Sequence, residues 1–118
     1  MKNFNFLERI EKPWGYELIW AKTDKYVGKI LFIKNGHRLS RQYHEIKDET
    51  IFVIDGELLI ELGTDEVIMS PGMSVRIEPG TIHRFCASCD TDVRLVEVST
   101  TELDDVIRLS DDYSRADK

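Results

Sequence analysis

Hydrophobic and polar residues alternate along the middle of the chain in short runs separated by turn dipeptides. Asn35-Gly36, Asp55-Gly56, Pro71-Gly72 and Pro79-Gly80, with the lone Gly63, mark the breaks. Between them lie segments 26–34, 50–54, 57–62, 66–69, 73–77, 82–86 and 93–99, rich in β-branched and aliphatic residues as strands are. In 57–62 the period of two places Leu58, Ile60 and Leu62 on one face, opposite Glu57, Leu59 and Glu61. Asp55-Gly56 tolerates the positive φ of a tight primed turn, which predicts a hairpin joining 50–54 to 57–62. Closely spaced strands without interleaved helices predict an all-β sandwich or barrel. One helix is expected: Thr101-Glu102-Leu103-Asp104 resembles a capping box ahead of Asp105–Leu109, and Ser110–Lys118 forms a polar tail that frays unless Tyr113 and Arg115 dock.

The 118 residues suit a single domain spanning 1–118. Its parts are an N-terminal edge segment over 1–25, a barrel over about 26–100, and a C-terminal helix and tail over 101–118. Sixteen basic against 22 acidic residues leave a net charge of −6, which argues against nucleic-acid binding. The longest apolar runs, such as Ile51–Ile54, fall far short of the roughly 18 residues of a membrane span. Met1–Lys12 lacks the apolar stretch of a signal peptide, so a cytoplasmic location is expected. Cys86 and Cys89 are too few for a disulfide scaffold, and a single C-x-x-C lacks the second pair of a structural zinc site.

Imidazole chemistry must draw on only three histidines, His37, His44 and His83. If Leu39–His44 is a strand, Arg38, Ser40, Gln42 and His44 share one face, with Arg41 and Tyr43 on the other. Glu49 opens the next strand after a turn, and His83 follows Pro79-Gly80-Thr81-Ile82. In a closed barrel Gln42, His44, Glu49 and His83 converge inside. Two imidazoles, a carboxylate and an amide oxygen form a plausible divalent-metal site.

The spacing Gly36-x5-Gln42-x-His44-x4-Glu49-x6-Gly56, followed by Gly72-x7-Gly80-x2-His83, resembles the two cupin motifs. A narrower resemblance rests on Lys12-Pro13-Trp14-Gly15-Tyr16-Glu17, Arg38–His44, Gly80–Arg84, Leu95–Val98, Asp104–Arg108 and Asp112–Arg115. Together, in order from Lys12 to Arg115, these are similar to the type II mannose-6-phosphate isomerase domain. That domain is commonly the C-terminal half of bifunctional enzymes whose other half makes GDP-mannose; no guanylyltransferase activity is expected from the residues seen here.

The resemblance implies a small cupin barrel with Gln42, His44, Glu49 and His83 as ligands. An amide oxygen in the first position favours zinc, with nickel, manganese or iron as alternatives. It implies aldose–ketose isomerisation of a sugar phosphate through an enediolate, with Arg38, Arg108 and Arg115 as cations for the phosphate. Glu45 and Glu97 stand as alternatives for the base, Glu97 on condition that Leu95 and Glu97 face inward. Arg84, next to His83, is expected to face outward in a structural role. Where the family usually continues with three histidines after Tyr43, this chain has His44-Glu45-Ile46. That departure keeps open a second reading, a non-catalytic or differently catalytic metal-binding cupin, such as a sugar-binding or accessory module. The apolar bulk of Phe4, Phe6, Leu7, Trp14 and Trp20, together with the dimers known among cupins, suggests a homodimer.

Overall fold

The computed structural model describes residues 7–113 and contains, among them, eleven strands in two antiparallel sheets. The strands are β1 Glu8–Lys12, β2 Gly15–Lys22, β3 Val27–Ile33, β4 Arg41–Tyr43, β5 Glu49–Asp55, β6 Leu58–Leu62, β7 Asp65–Met69, β8 Ser74–Ile77, β9 His83–Cys86, β10 Val93–Ser99 and β11 Ile107–Ser110. One sheet runs β1-β2-β3-β10-β5-β8, the other β11-β4-β9-β6-β7. From β3 onward the chain passes repeatedly between them. Their inner faces enclose one apolar core, in which Leu31, Ile33, Ile51, Val53 and Leu95 from the first sheet meet Leu58, Ile60, Met69 and Phe85 from the second. The architecture is all-β, as the alternation predicts. Two facing sheets take the place of a closed barrel.

Two local expectations fail. β5 and β6 do not form a hairpin: β5 pairs with β10 and β8, and β6 with β7 and β9. Asp55-Gly56 instead marks a crossing between sheets, with Gly56 at φ 82° so close to Asp92 that a Cβ would lie 2.0 Å from its carbonyl oxygen. The expected helix is also absent. Nine residues are too few to hold a helix without tertiary support, and β4 offers an edge, so Ile107–Ser110 pairs with it as β11. Tyr113 packs against the core and its hydroxyl lies 2.8 Å from His37 Nδ1.

β1 and β2, which the sequence pattern leaves unannounced, extend the larger sheet. Trp14, at the turn between them, is buried in the core, whereas Leu7 and Trp20 are exposed. Phe4 and Phe6 lie outside the described residues.

Candidate metal centre

Three neighbouring strands carry charged residues on their inward faces. On β3 the buried set Val27, Lys29, Leu31 and Ile33 includes a lysine; on β10 Val93, Leu95, Glu97 and Ser99 include a glutamate; on β5 Glu49 shares a face with Ile51 and Val53. Register places Lys29 opposite Glu97, Glu97 opposite Ile51, and Glu49 opposite Ser99. The polar ends of these rows face a cavity of about 260 Å³.

His44, at the end of β4, and His83, at the start of β9, meet Glu49 there. His44 Nε2 lies 2.9 Å and His83 Nε2 3.5 Å from the same Glu49 oxygen, Oε2, and the imidazole centroids are 5.2 Å apart. All three side chains are at most 5% exposed. Each ring turns its other nitrogen to the backbone, His83 Nδ1 to the Thr81 carbonyl at 2.9 Å and His44 Nδ1 to the Asp105 carbonyl. Such contacts fix tautomer and ring orientation in metal-ligating histidines. The inward atoms, His44 Nε2, His83 Nε2 and Glu49 Oε2, lack a well-formed hydrogen-bond partner. Buried polar atoms without partners are costly, and a divalent cation within reach of all three would satisfy them together.

Gln42 sits opposite His83 in the β4–β9 register, lines the same cavity and accepts the Ser40 hydroxyl at its Oε1 (2.6 Å). Two imidazoles, a carboxylate and an amide oxygen form a borderline-hard donor set suited to zinc and its first-row neighbours.

Burial opposes ionisation of Glu49, but the adjacent His44 imidazole and the positive charge of Lys47 outweigh it and bring its carboxyl down to about 2. Burial pushes the His83 imidazolium below its ordinary value. Lys47 Nζ stands 2.9 Å from Glu97 Oε2 and 3.9 Å from Glu49 Oε1. Although burial disfavours the Lys47 charge, Glu97 and Glu49 raise its pKa. Burial, followed by the Glu49 charge, pushes the Glu97 carboxyl up. Farther along the wall Lys29 pairs with Glu17 at 3.1 Å, and Lys12 approaches the same carboxylate at 4.0 Å.

The remaining sequence-selected residues are distributed unevenly. Glu97 faces inward with Leu95, as its condition required, and Arg108 lines the cavity. Glu45 is exposed on the loop after β4 and is not part of the cavity lining. Arg38 does not point inward: β4 begins only at Arg41, the strand parity does not extend back to Arg38, and its guanidinium makes a two-pronged pair with Asp112 (2.7 and 3.1 Å). Arg115 lies outside the described residues. Arg84 is buried, and its Nε donates to the Leu39 carbonyl at 2.9 Å, a structural contact. Cys86 and Cys89 are free thiols, and burial pushes that of Cys86 up to about 11.

Lys47, Glu17 and Lys29 are cavity residues that sequence reasoning overlooked. For Lys29 a signal existed, a lysine at an inward position of an otherwise apolar strand. Lys47 lies in a loop, where no periodicity marks its direction.

Two facing antiparallel sheets with a buried His-Glu-His cluster between them, a group that could hold a metal ion, define the class of fold to which the chain belongs. Residues 30–99 match the Cupin domain family, and the chain belongs to it. Mannose-1-phosphate guanylyltransferase of Escherichia coli K12 is 32% identical over 110 residues, covering 90% of this chain but 23% of that protein. The chain thus spans less than a quarter of the length of such curated relatives. Among solved structures, KdgF from a Halomonas species superposes with a TM-score of 0.74 at 21% identity, covering 86% of this chain and 90% of that one. A cupin-superfamily sugar phosphate isomerase from Silicibacter pomeroyi gives a TM-score of 0.66 at 22% identity, covering 72% and 58%.

Proposed function

We propose that this cupin binds a divalent metal, zinc by preference, through Gln42, His44, Glu49 and His83, and interconverts an aldose phosphate and a ketose phosphate as mannose-6-phosphate isomerases do. The observation that carries the metal reading is the trio of buried, mutually adjacent donor atoms without well-formed hydrogen-bond partners. The likeness to part of mannose-1-phosphate guanylyltransferases supports a phosphorylated hexose as substrate.

Glu97 is the base in this scheme. It removes the proton from C2 of the open-chain aldose, the C–H electrons form the C1–C2 double bond of the enediolate, and the proton returns at C1 while the hydroxyl proton moves between the two oxygens. A carboxyl raised by burial can both take and return that proton, and Lys47 keeps its oxygen oriented. When bound, the metal supplies Lewis-acid stabilisation where negative charge develops on oxygen. Arg108 and Lys29 offer cations to the phosphate.

Purified protein loaded with zinc is expected to interconvert mannose 6-phosphate and fructose 6-phosphate in a coupled assay, and to lose that turnover on chelation. Stoichiometric metal without turnover would reject this substrate and favour the second reading, a sugar-binding or accessory cupin. The feature that favours the second reading is the pair Glu45 and Ile46, where the family carries imidazoles; Ile46 is 65% exposed.

A homodimer is part of this proposal, formed by the outer face of the larger sheet. Leu18, Ile30, Val96 and Phe52 line up in register across four strands, beside Val98 and the Trp20 ring, which lies over Gly28. Charges near this face are paired within the chain, Arg94 with Asp55, Arg9 with Glu11 and Arg76 with Asp48, so two copies meet without like-charge repulsion. Six strands about 4.8 Å apart and on average about six residues long present roughly 600 Å², somewhat below the roughly 800 Å² per partner of a stable complex. Light scattering is expected to give twice the 13.7 kDa chain mass, and Phe52→Asp a monomer. A monomeric wild type would leave this face for another partner and refute the dimer.

A further inference from the structure

The loop from His44 to Glu49 is held by one residue from the far end of the chain. The Asp105 carboxylate accepts hydrogen bonds from the backbone amides of Glu45 at 3.2 Å, Ile46 at 2.7 Å and Lys47 at 2.9 Å. The Asp105 main-chain carbonyl accepts the Nδ1 hydrogen of His44. A single residue therefore fixes both the orientation of an imidazole in the donor cluster and the path of the loop that carries Lys47 between Glu49 and Glu97. The Lys47 and Ile46 amides, helped by that of Glu45, hold the Asp105 carboxyl below its ordinary range against the opposing effect of burial. On either side, the segment is tied to the same part of the fold. Thr100 exchanges two hydrogen bonds with Asp48, each of 3.0 Å, and β11 pairs with β4.

We propose that Asp105 is a positioning residue for the metal centre, through which docking of segment 101–110 and metal occupancy stabilise one another. This rests on the metal reading above. Neutral His44 with its hydrogen at Nδ1 directs the Nε2 lone pair at the cluster, and that hydrogen stays there because the Asp105 carbonyl is waiting for it. The carbonyl is in place because the Asp105 side chain is clamped onto three loop amides. Linkage makes the effect reciprocal: whatever strengthens metal binding through this contact must tighten the segment by the same factor.

The test uses the full chain, stripped of metal and titrated with zinc against a competing chelator. Asp105→Ala is expected to weaken zinc roughly 10–100-fold, the usual effect of losing an outer-shell partner. Asp105→Asn, which keeps one neutral oxygen acceptor, is expected to fall between it and wild type. Leu109→Ala, which trims an exposed side chain of the same segment, should leave affinity unchanged. Hydrogen exchange gives a second readout: zinc should slow the amides of 45–47 in wild type and fail to do so in Asp105→Ala. A purely structural role for Asp105 would lower the melting temperature of the apo-protein and leave both readouts intact. Wild-type zinc affinity in a folded Asp105→Ala, or loop amides indifferent to zinc in wild type, would overturn the linkage alone. A wild type that binds no divalent metal would instead overturn the metal reading, and the linkage with it.

Discussion

Glu49→Gln is expected to abolish metal binding while leaving the fold in place. The substitution preserves shape but removes the anionic oxygen that both imidazoles approach, at 2.9 and 3.5 Å. Glu49 contributes the only charge among the four proposed ligands, so affinity should fall by more than the roughly 10–100-fold associated with an outer-shell partner. Lys47 retains Glu97 at 2.9 Å, so no buried ammonium is stranded and the apo-protein should remain folded. Zinc content after dialysis, together with the circular dichroism melt, checks both halves of the expectation. Full zinc stoichiometry in Glu49→Gln would mean that the metal sits elsewhere.

The second large effect is expected at Glu97. Glu97→Gln should retain metal, because Glu97 belongs to the next row of β10 and not to the donor cluster, yet lose turnover by roughly 10²- to 10⁴-fold, the usual contribution of a general base. The loss should fall on kcat with KM nearly unchanged, because a glutamine still fills the position beside Lys47. Glu45→Gln provides the comparison, since the exposed Glu45 should tolerate the change. If Glu45→Gln is inactive and Glu97→Gln is not, the two roles must be exchanged.

That Gln42, His44 and Glu49 would face one interior was legible in the sequence, because local parity and a short spacing determine it. Gln42 and His44 fall on one side of a strand whatever that strand pairs with, and Glu49 begins the inward series Glu49, Ile51, Val53. Sheet partnership is another matter. β5 finds its partner β10 roughly forty to fifty residues away, and no local signal in Asp55-Gly56 distinguishes a hairpin from a crossing between sheets. The segment after Ser99 departs from its local pattern for a related reason. Its acidic start has the appearance of a helix cap, but Asp105 spends its oxygens on the amides of a distant loop, and the β-branched Val106 and Ile107 lead into a strand. Arg38 shows where parity stops applying, since a residue before the strand begins has no obligation to its alternation.

The chain's two tryptophans divide the molecule between them. Trp14 is 2% exposed and forms part of the cavity wall, whereas Trp20 is 45% exposed and lies over Gly28 on the outer sheet face. Intrinsic fluorescence therefore contains two separable signals. An acrylamide-accessible component follows Trp20 and thus the state of assembly, while a protected component follows Trp14 and thus events in the cavity. With Trp20→Phe, the emission of the unlabelled protein would become an optical gauge of what enters the cavity.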